Sequence, residues 1–309
     1  MAAHADFSGV IPPVVTPLTA DRELDRASLK RSIDRMIDRG VHGLFLLGSS
    51  SEVVFCTDSR RREIVETGIE AAAGRVPVLV GVIDAQTERM VEHARAAREL
   101  GADAVVATAP FYALGGPDEI EANFRAIREE VDLPLFAYDL PVCVHKKLDA
   151  DMLVGLGSEG VLAGVKDSSG DDVNFRFLVQ KNRAAGSPLK LFTGHEVVVD
   201  GAFLSGADGV VPGLGNVDPY GYVQQYKAYR EGDWEAVVQI QDRLALLMTI
   251  TSVTEGAVGF GAGVGAFKTA LQLLGVFETN QMPRPVRALE GGNVEAVRNV
   301  LVAAGMLAR

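Results

Sequence analysis

Eight short apolar runs, each followed by a stretch with helical spacing, constrain this chain more than any other feature. They read "VIPPVVTP", "VHGLFLLG", "VPVLVGVI", "ADAVVATAP", "LPLFAYDLP", "VLAGVKD", "LKLFTG" and "DGVVPG". Nearly uninterrupted apolar strands suit a parallel sheet buried on both faces, and strand–helix alternation builds such a sheet. The first helical stretch, "DRASLKRSIDRMIDRG", carries Leu29, Ile33, Met36 and Ile37 at helical spacing and stops at Gly40. Thr57 caps the second. Others are predicted over 87–100, 117–131, 150–156, 172–183, 196–205 and 219–230. Eight units close a TIM (β/α)8 barrel, and the roughly 230 residues used are near the ~250 typical of that fold. An open doubly wound sheet is the weaker alternative, because no G-x-G-x-x-G follows the first strand. After Gly232 the pattern turns purely helical, over 233–251, 263–274 and 294–304. The expectation is a catalytic barrel over 1–231, with a C-terminal helical region over 232–309 packed on it.

Composition narrows the partners. The 309 residues are 48% hydrophobic and carry a net charge of −11, with no basic run. That balance argues against nucleic acid and anionic membrane surfaces and leaves a small molecule. The start, "MAAHADFSGV", lacks a basic stretch followed by an apolar run, so it does not read as a secretory signal. No apolar run is long enough to span a bilayer. The two cysteines, Cys56 and Cys143, have no metal-like spacing. A reduced, cytoplasmic protein without structural disulfides is the simplest expectation.

In a TIM barrel the chemistry sits at the C-terminal ends of the strands. Those positions hold Thr16 and Pro17, "GSSSE" from Gly48 to Glu52, Tyr112, "YDLP" with Tyr138 and Asp139, Lys166, "TGHE" with Glu196, and "VPGLGN". A lysine that ends a core strand is costly unless paired or deprotonated. Taken alone, Lys166 reads equally well as a salt-bridged partner of Asp167, Tyr138 as a strand-end anchor, and "GSSSE" as a capping turn. Together they suit carbonyl chemistry. A neutral amine attacks a ketone to form a Schiff base. A neighbouring phenol relays protons. Ser49 and Ser50 offer hydroxyls and backbone N–H groups for a keto-acid carboxylate. A competing reading makes Glu52, Asp139, Asp167 and Glu196 ligands of Mg²⁺.

Over nearly its whole length the sequence resembles the dihydrodipicolinate synthase and N-acetylneuraminate lyase family of Schiff-base aldolases. The family's G-[ST]-[ST]-G-E is matched by "GSSSE", its Y-[ND]-x-P by "YDLP" and its G-x-K by "GVK". The resemblance implies that Lys166 forms an imine with pyruvate or another 2-keto acid and that Tyr138 is the relay phenol. It implies that Ser49 links the relay, and that Gly48 and Ser50 belong to the carboxylate-holding turn. Gly194 and Val211 then line the lysine pocket through their backbones. Tyr112 reaches a neighbouring subunit's site, which implies a homo-oligomer, a tetramer or a dimer. No metal or organic cofactor is implied.

Three departures qualify the resemblance. Ser51 replaces the usual glycine of the second-strand turn. Cys143 stands where dihydrodipicolinate synthases place an arginine for a substrate carboxylate. Glu196 and Val197 match only half of the acidic pair of the neuraminate lyases. Glu196 is therefore read here as a carboxylate near the mouth, suited to a hydroxylated or less anionic aldehyde. The expectation is a class I aldolase or lyase whose aldehyde partner is open. The enzymatic rivals are a sugar-acid aldolase, a keto-deoxy sugar acid dehydratase and a hydratase-aldolase for aromatic substrates. A rival of another class is a non-catalytic metabolite-binding barrel.

Overall fold

The computed structural model describes residues 7–308; the start of the N-terminal stretch examined for a signal, residues 1–6, lies outside them. Eight strands form one parallel sheet: β1 (Gly9–Val10), β2 (Leu44–Leu46), β3 (Val78–Gly81), β4 (Ala104–Ala107), β5 (Leu135–Asp139), β6 (Gly164–Asp167), β7 (Lys190–Thr193) and β8 (Gly209–Val210). Each pairs with the next in sequence from β2 to β8, and β8 pairs with β1. The seam between β1 and β2 closes through a bridge at Pro13 and Phe45. There the N–H of His42 donates to Val10 O, that of Phe45 to Pro12 O and that of Val14 to Phe45 O, at 2.8–3.0 Å.

The first strand is irregular because Pro12 and Pro13 have no N–H to give. Buried Asn216, in the turn after β8, satisfies what they leave. Its Nδ2 donates to Pro13 O and Gly213 O, and its Oδ1 accepts from Val15 N. The β1–β8 contact is close enough to require glycine: a Cβ on Gly209 would lie 2.1 Å from Gly9 O.

Around the barrel run α1 (Arg26–Asp38), α2 (Asp58–Ala72), α3 (Thr87–Leu100), α4 (Pro117–Glu130), the single turn α5 (Pro141–Val144), α6 (Ala150–Ser158), α7 (Asp172–Ala184), α8 (Val199–Ser205) and α9 (Pro219–Glu231). Side-chain caps start them where the sequence offers Asp or Thr: Asp25, Thr57, Asp149, Asp171 and Asp218 each accept from a first-turn N–H. Three further helices follow, α10 (Trp234–Met248), α11 (Gly263–Leu273) and α12 (Gly292–Ala303). They share one apolar core with the barrel. Helix α11 is buried along Val264–Leu271, and it carries Phe267 up against Gly213 at the C-terminal face of the strands. Among the described residues no helix is long and apolar enough to cross a membrane.

Candidate active site

Register places the central pair. Tyr138 on β5 lies directly opposite Lys166 on β6, which lies opposite Phe192 on β7. Aligned residues of parallel neighbours share one face, so all three point the same way, and all three are buried. Lys166 Nζ sits 4.1 Å from the centroid of the Tyr138 ring and 5.2 Å from that of Phe45 on β2. Gly194, just past β7, makes room for this lysine. A Cβ there would lie 3.2 Å from Lys166 Cε and 2.0 Å from Ser168 Oγ. The N–H of Gly194 donates to Asp167 O and that of Val211 to Thr193 O, fixing the backbone on that flank.

The stretch "GSSSE" forms a single 3-10 turn over Ser49–Ser51, entered at Gly48. Ser49 Oγ lies 3.4 Å from Tyr138 Oη. Ser51, the departure from the family pattern, is buried; its hydroxyl donates to Val14 O at 2.5 Å and its carbonyl accepts from Thr16 Oγ1. The extra hydroxyl therefore ties the turn to the first strand. The turn's own hydrogen bonds begin at Ser51 N, so the N–H groups of Ser49 and Ser50 stay outside them. Ser50 faces Gly213 across the mouth, where its Oγ lies 3.3 Å from the place a Cβ would take.

The four carboxylates offered by the sequence as Mg²⁺ ligands are held in three separate arrangements. Asp139 and Asp167 follow Tyr138 and Lys166 on their strands and so point to the opposite face. Between them sits Lys147, whose Nζ bonds both Asp139 Oδ2 and Asp167 Oδ2. Burial, together with the neighbouring Asp167, pushes the Asp139 carboxyl up to about 6 against the pull of Lys147. Glu52 is paired at 2.6 Å with Lys268 of α11, and both are buried. Lys268 also donates to Gln281 O. Among the described residues, no three His, Cys, Asp or Glu side chains are grouped as a metal site.

Glu196 departs from the expectation of a carboxylate facing substrate. Its Oε1 accepts from Gly213 N at 2.9 Å, and its Oε2 from Leu214 N at 2.8 Å and the Tyr222 hydroxyl at 3.2 Å. Burial raises its pKa, and these donors and the Lys166 ammonium pull it back. A carboxylate taken from water must find donors, and the loop after β8 supplies them. Glu196 thus fastens that loop beneath the mouth.

Tyr112 is 96% exposed, with a backbone φ of +74° that a bulky residue rarely adopts. It faces solvent on the isolated chain. Cys143 lies exposed on α5. Sequence reasoning did not find the Asp139–Lys147–Asp167 cluster or the Glu52–Lys268 pair. The sequence shows a carboxylate directly after each of Tyr138 and Lys166, but nothing in it singles out Lys147, second of a lysine pair, as their partner.

Comparison with known proteins supplies context. The family model described as the dihydrodipicolinate synthetase family matches residues 6–304. A 4-hydroxy-tetrahydrodipicolinate synthase of Phenylobacterium zucineum is 32% identical over 78% of this chain and 81% of its own. A probable 2-dehydro-3-deoxy-D-pentonate aldolase of Escherichia coli K12 is 28% identical over 97% and 98%. Among solved structures, a prophage protein of the dihydrodipicolinic acid synthase family from E. coli K12, in complex with pyruvate, superposes with a TM-score of 0.92. It is 26% identical, and the match covers 98% of this chain and all of that one.

Proposed function

The chain belongs to the dihydrodipicolinate synthetase family, and on that premise we propose that it is a class I aldolase or lyase in which Lys166 forms an imine with pyruvate or another 2-keto acid. The observation that carries this reading is the geometry of one row: Lys166 Nζ 4.1 Å from the Tyr138 ring, and Tyr138 Oη 3.4 Å from Ser49 Oγ. The free amine of Lys166 attacks the C2 carbonyl, and the carbinolamine loses water. Tyr138 and Ser49 pass the protons that this dehydration needs. The substrate carboxylate lies on the N–H groups of Ser49 and Ser50, at the turn entered from Gly48. The protonated imine acidifies the C3–H bond; the Tyr138 relay takes that proton and the C–H pair becomes the enamine, which adds to an aldehyde, or, in reverse, the imine accepts the pair released when a C–C bond breaks. Gly194 and Val211 shape the lysine pocket through their backbones. Glu196 positions the loop that closes the site.

The reading extends to assembly and compartment. Tyr112, exposed on one chain, enters the relay of a second copy in a homo-oligomer, a dimer or tetramer, in the cytoplasm. A sugar-acid aldolase uses the same imine, and the E. coli pentonate relative keeps that reading open. A barrel that only binds a metabolite has no use for the Lys166–Tyr138–Ser49 row.

Exchange of the methyl protons of pyruvate with deuterated water, followed by NMR, tests the reading without any aldehyde. The native protein should exchange them, Lys166→Ala should not, and Tyr138→Phe should slow exchange by roughly 10²–10⁴-fold. Exchange that survives in Lys166→Ala, or is absent from the native protein with every 2-keto acid tried, refutes it.

A further inference from the structure

Beside Ser49 the structure contains a cavity of about 280 Å³. Its wall is built from Val53, Ile83, Phe111, Leu140, Val144 and Phe260, brought together from the ends of four strands and from the segment before α11. None of the described side chains that line it is charged. Its reachable polar side-chain groups are the hydroxyl of Ser49 and the thiol of exposed Cys143; Thr108 lines it with its hydroxyl buried. We infer that this cavity is the subsite for the second substrate, and that it takes an uncharged aldehyde carrying an apolar, ring-sized body. The inference rests on the imine reading for Lys166 and names the partner that reading leaves open.

Position comes first. Ser49 belongs both to the relay row and to the cavity wall, so an occupant of the cavity lies against the serine end of that row; Tyr138 and Lys166 themselves do not line it. Size follows. At about 280 Å³ the space is at the small end of the ~300–1,000 Å³ usual for ligand pockets, enough for one ring and its carbonyl. Phe111 and Phe260 offer ring surfaces for edge or offset contact.

Polarity decides the class. An aldehyde bearing a carboxylate needs a cation in the wall, and none lines it. Lys147, close to Cys143 in sequence, is already bound between Asp139 and Asp167. Neither His145 nor Lys146 lines the cavity. A polyhydroxylated aldehyde needs a donor or acceptor for each hydroxyl, and one reachable hydroxyl and a thiol do not meet that need. The Glu196 carboxylate, held by the loop after β8, does not line this cavity.

Protonation of the aldehyde oxygen falls to the relay row, whose Ser49 lines the cavity. In the addition step the enamine pair forms the new C–C bond and the carbonyl π pair moves onto that oxygen. The oxygen takes a proton from the Tyr138–Ser49 relay and becomes a hydroxyl. Water then hydrolyses the imine, releasing a 4-hydroxy-2-oxo acid and restoring the Lys166 amine.

Two measurements on the full chain test this, one of them independent of the imine. Benzyl alcohol, an unreactive ring probe, should bind saturably by calorimetry, and Phe111→Ala should weaken it roughly tenfold while circular dichroism shows the fold retained. In the second, turnover of pyruvate is compared with benzaldehyde, glyceraldehyde and aspartate semialdehyde. Benzaldehyde should lead in kcat/KM by roughly ten- to a hundredfold, the factor expected for a missing charge-assisted contact to the semialdehyde. Cys143→Arg should raise the semialdehyde value without raising that for benzaldehyde. Failure of benzyl alcohol to bind, binding indifferent to Phe111→Ala, or preference for either polar aldehyde overturns the inference. Should pyruvate exchange be absent while benzyl alcohol binds as described, the imine reading fails and the apolar site stands.

Discussion

Replacing Lys147 by Met removes the one cation between two buried carboxylates, and the cost follows from the geometry. Asp139 and Asp167 are register partners on adjacent strands, 0% and 5% exposed, with Lys147 Nζ bonded to both. Breaking a buried ion pair from one side typically costs about 3–5 kcal/mol. Lys147 is itself 32% exposed, so water softens the loss and about 3 kcal/mol is expected near pH 8. The sign of the pH dependence is fixed by Asp139. Its folded pKa is already raised to about 6, against about 3.9 for an unfolded aspartate. A raised carboxyl contributes stability below its unfolded pKa and loses it as the pH climbs through the folded one. Without Lys147 the two carboxylates repel, one of them keeps a proton above pH 6, and the variant's pair titrates higher than the native Asp139. Between pH 8 and pH 6 the folded variant therefore holds more proton than the folded native protein, whose Asp139 reaches half protonation only at about pH 6. The stability gap should narrow on acidification by at most about 1.4 kcal/mol per pH unit. Urea unfolding at pH 6 and pH 8 measures it. A gap below about 1 kcal/mol at pH 8, or one that widens toward pH 6, would refute the reasoning.

Other substitutions probe the remaining supports. Gly194→Ala puts a Cβ 3.2 Å from Lys166 Cε and 2.0 Å from Ser168 Oγ; the serine can rotate away but the lysine must move, so pyruvate exchange should slow by roughly 10–100-fold with little change in Tm. Lys268→Met strands the Glu52 carboxylate, whose Oε1 already lacks a partner. It should cost about 3–5 kcal/mol, and adding Glu52→Gln should recover much of that in a denaturant titration. Glu196→Gln offers one carbonyl oxygen where two backbone N–H groups and the Tyr222 hydroxyl now bind a carboxylate; about 1–3 kcal/mol should be lost, read as a fall in Tm.

The barrel was legible because each strand announced itself as a short apolar run, α1 by its helical periodicity and Gly40, and α2 by the Thr57 cap. The strands are shorter than their runs, most of all β1, where two prolines cannot donate and Asn216 from the far end of the barrel completes the bonding. The helix read from Glu196 begins only at Val199, because Glu196 is held by the next loop instead of opening a helix. At the site, Tyr138 and Lys166 come together as register partners on neighbouring strands, and Ser49 reaches Tyr138 from the turn after β2, across the barrel mouth. What the sequence could not reveal depends on distant segments meeting. Lys268 reaches Glu52 from a helix beyond the barrel, Lys147 finds partners on two strands, and Phe260 joins a wall otherwise made by strand-end loops. None of these has a spacing that a single sequence displays. Glu196 shows the converse hazard: a carboxylate in a promising position was already occupied by backbone.

The central claim is that Lys166 is the residue that becomes covalently bound to the keto acid. Borohydride reduction in the presence of pyruvate, followed by peptide mapping with mass spectrometry, tests it most directly. The account predicts one reduced pyruvyl adduct per chain, on the peptide carrying Lys166, lost in Lys166→Ala. An adduct on Lys147, Lys268 or any other lysine instead, or none at all with 2-keto acids that bind, would contradict it.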